Sequence, residues 1–228
     1  MSLLIVTEAI LYVCFSLLVG GLLTNAVPSD RKPPVRIPKP LLAASALSVG
    51  VLSFGPVYAV ATYLAGEIVF WTILRSVVFD FQVGKAWLMT LVISLILFFL
   101  ISFNDLSRSR LLSRVAIGWA GLLIILVGWA SHAASQAPVA GFIAHTLHFA
   151  AVCTWTGILL TIGWFSKEPT HWEAFLRWFT PLAIVCVVVA AAAGLWLMQI
   201  IVPEYVNSWL LPYGQALLVK HLLLVPLL

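Results

Sequence analysis

The chain runs repeatedly for about 20 residues with almost no charge, the length of one bilayer crossing. That feature leaves few folds open. Hydrocarbon offers no partners for backbone N–H and C=O groups, so each run must satisfy them internally, and helix follows. Seven runs can be drawn: Leu3–Thr24, Leu41–Ala65, Lys85–Phe103, Leu111–Ala130, Phe142–Phe165, Phe179–Val202, and a last one that starts at Tyr213 and is still apolar at Leu228. The expected fold class is all-α, a polytopic transmembrane helix bundle of about seven spans. Composition agrees, since only 9% of the 228 residues are charged and 63% are hydrophobic, where soluble domains carry about 25% charge. The opening MSLLIVTEAI lacks a basic n-region, which reads as a retained first span rather than a cleaved signal. With no soluble domain or long linker, residues 1–228 read as a single membrane domain.

Orientation follows from the connections. The first, SDRKPPVRIPKP, holds Arg31, Lys32, Arg36 and Lys39; the third holds Arg108, Arg110 and Arg114; the fifth holds Lys167 and Arg177. The second, fourth and sixth hold only Arg75 among them. By the positive-inside rule the odd connections are cytoplasmic and the N-terminus is outside. The net charge of +4 is thereby explained as loop anchors, with no call for a nucleic-acid partner. Residues 66–84 are apolar but too punctuated to cross and return, so they are expected to lie along the outer interface, with Trp71 at headgroup depth and Arg75 and Asp80 in water. Glycines in the spans (Gly20, Gly21, Gly118, Gly121, Gly128, Gly157, Gly163) are expected to allow close helix contact.

Depth then sorts the polar residues. His132 follows the fourth span, and His145 and His148 fall in the first two turns of the fifth, about 5–10 Å below the outer surface at 1.5 Å per residue. Three residues apart, His145 and His148 share a helix face. Glu8, Met198, Glu67, Lys220 and His221 also gather in the outer half. Imidazole with thioether suits copper, particularly Cu(I), whereas a hard cation would want a cluster of oxygens that is absent. The expected metal set is His132, His145, His148, Met198 and Glu8. An alternative stays open: two imidazoles on neighbouring helices can hold a haem b, with His132, His148 and His221 as candidate axial ligands. Cys14, Cys153 and Cys186 lie at mid-depth without C-x-x-C spacing, as small apolar fillers or as a soft relay below the histidines. Charge inside a span is expensive, so Glu8 and Lys220 pair with each other or with cargo, unless Lys220 snorkels outward and Glu8 sits wet. No Walker loop, catalytic triad or hydrolytic carboxylate pair is present, and the chain is not expected to be an enzyme.

Ser131-His132-Ala133 closing one span, Ala144 to Leu147-His148 opening the next, and Trp155-Thr156-Gly157 after it together resemble the CopD family of bacterial copper-resistance membrane proteins. Tyr213-Gly214 through Leu217-Leu218 to Lys220, and Phe81 through Gly84 to Trp87, are similar to further segments of that family. The resemblance implies functional roles for His132, His148, Trp155, Tyr213, Gly214 and Lys220. It implies copper uptake across the bacterial cytoplasmic (inner) membrane, with a periplasmic or extracellular copper-binding protein as a partner. It also implies an eighth span, so that the natural chain would continue past Leu228. His145 departs from the family's pattern, standing where a carboxylate or small polar residue is expected, and Cys153 stands where a small residue is usual.

Overall fold

A computed structural model describes residues 2–66, 69–106, 109–168, 170–202 and 215. Nine helices are found among them: α1 (Ser2–Ala26), α2 (Lys39–Leu52), α3 (Phe54–Ala65), α4 (Phe70–Phe79), α5 (Gln82–Phe103), α6 (Arg110–Trp129), α7 (His132–Gln136), α8 (Pro138–Phe165) and α9 (Trp172–Ile201). Six candidate spans result, with α2 and α3 together making the second, and α1, α5, α6, α8 and α9 the others. These are the first six expected from sequence. The seventh falls outside the described residues, as do Glu67, Arg108, Tyr213, Gly214, Lys220 and His221.

Two connections identify the ends of the bundle. Arg36 N–H donates to the Phe165 carbonyl at 3.3 Å, Lys167 N–H donates to the Pro34 carbonyl at 3.2 Å, and Val35 and Ser166 form an antiparallel bridge. The stretch after α1 and the stretch after α8 therefore lie at one end, here called the basic end. The Trp178 indole N–H joins them, donating to the Arg31 carbonyl at 2.8 Å. At the opposite end the Gln82 amide donates to the Trp129 carbonyl at 2.6 Å, tying the start of α5 to the finish of α6. His132 is at this histidine end.

The second span is broken at Ser53. Pro56 has no N–H to offer the Leu52 carbonyl, and a proline inside a helix breaks its ladder. Side-chain donors gather in the turn before the break: the Ser53 hydroxyl donates to the Val49 carbonyl at 2.6 Å and the Trp87 indole to that of Gly50 at 3.1 Å. Donors of this kind help a membrane helix tolerate a break. Beyond it, α4 occupies part of the expected interfacial segment. Its Val77 is fully buried with Val57 and Ala61 of α3, while Trp71 is 73% exposed.

α8 is the hub, packing on α1, α6, α7 and α9. Its contact with α1 is the most intimate, because a Cβ on Gly20 would stand 2.0 Å from the Gly157 backbone and one on Gly157 would stand 2.1 Å from the Ser16 carbonyl. Beside this crossing the Ser16 and Thr156 hydroxyls are 3.1 Å apart. Phe15, Leu18 and Leu22 of α1 complete a core with Leu97, Ile101 and Leu123. Gly21 fits against Leu42 and Gly128 against Thr146, but Gly118, Gly121 and Gly163 meet nothing within 4 Å among the described residues. The expectation that glycines mark close contacts thus applies to some of them only, since a glycine's helix face is invisible without its neighbour.

Candidate functional site

Ser131 sets the local geometry at the histidine end. Its hydroxyl accepts from the Ala134 N–H at 3.2 Å, an N-cap that starts α7 at His132. Pro138 then opens α8 in its first turn, the position where a missing N–H is harmless. A Cβ on Gly141 would lie 2.0 Å from the Ala133 carbonyl, so α7 rests directly on the first turns of α8. Because α8 begins at Pro138 rather than Phe142, His145 and His148 lie about 10 and 15 Å along the helix from its start.

His148 is held by the neighbouring helix. Its Nδ1 is 2.8 Å from the Ala190 carbonyl of α9, and a carbonyl only accepts, so Nδ1 carries the proton. The ring fits there because position 194 is glycine: a Cβ on Gly194 would approach the ring to 3.2 Å. An imidazole that donates one N–H to a carbonyl has its tautomer and plane fixed, which is how metal-binding histidines are oriented. His145, one turn closer to the histidine end, has its Nδ1 buried without a hydrogen-bond partner among the described residues. Its ring centroid is 6.1 Å from Phe149, which in turn meets Tyr12 at 5.6 Å and Phe15 at 5.0 Å.

The other expected ligands are dispersed. His132 is exposed on α7, with its Nε2 3.0 Å from the Gln136 amide nitrogen. Met198 is half-buried on α9, one turn beyond Gly194 on the face that holds His148. Glu8 is exposed one turn before Tyr12 on α1. Among the described residues no group of three or more His, Cys, Asp or Glu side chains is placed to hold a metal ion. His145 and His148 share a helix, while His132 sits on a separate short helix whose capping turn carries its ring toward Gln136. Trp155 packs with Ile158, Ile162, Phe175 and Phe179 between α8 and α9. Cys14, Cys153 and Cys186 are free thiols, and Cys153 is fully buried. The haem alternative gains no support among the described residues: His132 is exposed on α7 with its ring on Gln136, and His221 is outside them.

Sequence reasoning missed Ala190 and Gly194, which position His148, and the Ser16–Thr156 pair. The Ala190–Gly194 stretch of small residues was the available signal, although nothing in it announced a histidine partner.

Comparison with known families gives two matches. Residues 1–142 match the family model described as Copper resistance protein D-like, N-terminal domain, and residues 173–228 match that described as Copper resistance protein D. Neither the curated proteins nor the solved structures gave a match.

Proposed function

The chain belongs to the copper resistance protein D family, and from that premise we propose that it takes up copper ions at the histidine end and carries them across the bacterial cytoplasmic membrane toward the basic end. Copper is cargo here, and no covalent chemistry is required of the protein. The basic end faces the cytoplasm by the positive-inside rule, so the histidines meet copper arriving from outside, free or delivered by a copper-binding protein.

The observation that carries the reading is the seating of His148. Its Nδ1–H on the Ala190 carbonyl fixes the plane of the imidazole, and Gly194 supplies the space. His145 lies one turn outward with a ring nitrogen that has no hydrogen-bond partner among the described residues, a second imidazole donor on the same helix face. Met198 and His132 sit further out and would serve on arrival, and Glu8 would attract the cation.

Copper accumulation in proteoliposomes tests this. His148→Ala abolishes uptake, and Gly194→Leu, which leaves the imidazole in the chain but removes its seat, lowers it about 10–100-fold, the range for lost orienting contacts around metal ligands. Wild-type uptake by His148→Ala would sink the proposal.

A further inference from the structure

The basic end carries a cavity of about 200 Å³ between the C-terminal ends of α1 and α5 and the start of α2. Its polar lining is Asn25, Arg36, Lys39, Asn104 and Asp105, above an apolar floor that includes Leu42 and Ile101. Arg36 and Lys39 are exposed, and Ile101 and Leu42 are buried.

The electrostatics of this cavity are one-sided. The negative ends of both helices beside it are already covered, since the Lys32 ammonium donates to the Thr24 carbonyl of α1 and the Asn104 amide to the Leu100 carbonyl of α5 at 3.0 Å. At the positive end of α2 the first turn has no acidic residue and no side-chain cap, and Lys39 occupies its first position, where a cation is disfavoured by the helix dipole. Two basic side chains thus line one cavity beside the start of a helix, with Asp105 as the opposing charge. Topological sorting asks only that basic residues be in this connection; it does not ask that two of them line one hollow with an apolar floor.

We propose that this cavity is a binding site for the phosphodiester headgroup of an anionic membrane phospholipid. The volume is below the 300–1,000 Å³ usual for drug-sized ligands and suits a single headgroup. Its depth, where α1 and α5 end and α2 begins, is where lipid phosphates lie, and basic pockets between helices on the cytoplasmic side recognise acidic headgroups. The apolar residues at its floor suit the first acyl carbons of a lipid, which free phosphate lacks. The site is independent of the copper reading and stands or falls apart from it.

The test is native mass spectrometry of the full chain released from nanodiscs of phosphatidylcholine with phosphatidylglycerol. Wild type should retain about one phosphatidylglycerol in preference to phosphatidylcholine, undisturbed by millimolar inorganic phosphate. Arg36→Gln with Lys39→Gln should lower retention roughly thirtyfold, from the usual worth of a basic residue near an anionic surface. Leu42→Trp, which fills the cavity and leaves every charge in place, should lower it as well, while Arg177→Gln, at the same end but off the cavity, should not. Equal retention of both lipids, full retention by the double variant, or displacement by inorganic phosphate would each overturn the assignment.

Discussion

The crossing of α1 and α8 makes a quantitative demand. A methyl group on Gly20 would stand 2.0 Å from the Gly157 carbonyl carbon, and one on Gly157 would stand 2.1 Å from the Ser16 carbonyl oxygen. Both intrusions are into backbone, which cannot swing aside. Relief to an ordinary 3.4 Å contact means moving the helices apart by about 1.4 Å. Overpacking of this kind costs about 1–3 kcal/mol. The same movement carries the Ser16 and Thr156 hydroxyls, now 3.1 Å apart, out of hydrogen-bond reach, for about 1 kcal/mol more. Gly20→Ala and Gly157→Ala should therefore each lose about 2–4 kcal/mol. Because one separation relieves both clashes, the double variant should lose little more than the worse single, a strongly sub-additive result. Unfolding in mixed micelles, followed by tryptophan fluorescence, would give these values. Gly118→Ala, where nothing among the described residues lies within 4 Å, serves as the control and should be neutral or slightly stabilising, because alanine is the better helix former. Additive losses, or no loss at either crossing glycine, would refute the reasoning.

Other outcomes follow from the same structure. Trp87→Phe keeps an aromatic ring against Phe54, whose centroid is 4.9 Å from that of Trp87, but leaves the Gly50 carbonyl without its indole donor; a loss of about 1–3 kcal/mol is expected in the same unfolding assay. Burial holds the Lys32 ammonium below its ordinary value of 10.5. Between its folded value and 10.5 the unfolded chain binds more protons, so stability attributable to Lys32 should rise with pH through that window. Comparing wild type with Lys32→Met across alkaline pH checks the sign, and a relative fall would contradict it.

Much of this architecture was legible because lipid narrows the options. The first six spans follow from length and apolarity alone. The pairing of the stretches around Val35 and Ser166 agrees with the alternation read from their basic residues. Contacts between spans were not legible. In a soluble helix the apolar stripe shows which face turns inward, but a span is apolar all round, so the face of α1 that meets α8 leaves no hydropathy trace. Gly20 and Gly118 look alike in sequence, yet one is at a backbone contact and the other meets nothing within 4 Å among the described residues. The histidines show the same limit. Spacing placed His145 and His148 on one face, but it could not supply Ala190 as the partner of His148, nor turn His132 toward Gln136.

The Ser16–Thr156 pair joins residues 140 positions apart, and this separation has a consequence for how the protein is made. At a synthesis rate of about 5–20 residues per second, α1 waits roughly 7–30 s before the part of α8 that covers it leaves the ribosome. Throughout that interval the ridge of Ser16 and Gly20 stands against lipid or the insertion machinery, with no native partner yet in existence. A small, weakly polar ridge exposes no charge during that wait, but its close-packing face is open to other helices until α8 covers it. The clasp between the Val35 and Ser166 stretches closes later still, once α8 has crossed and its far end has emerged.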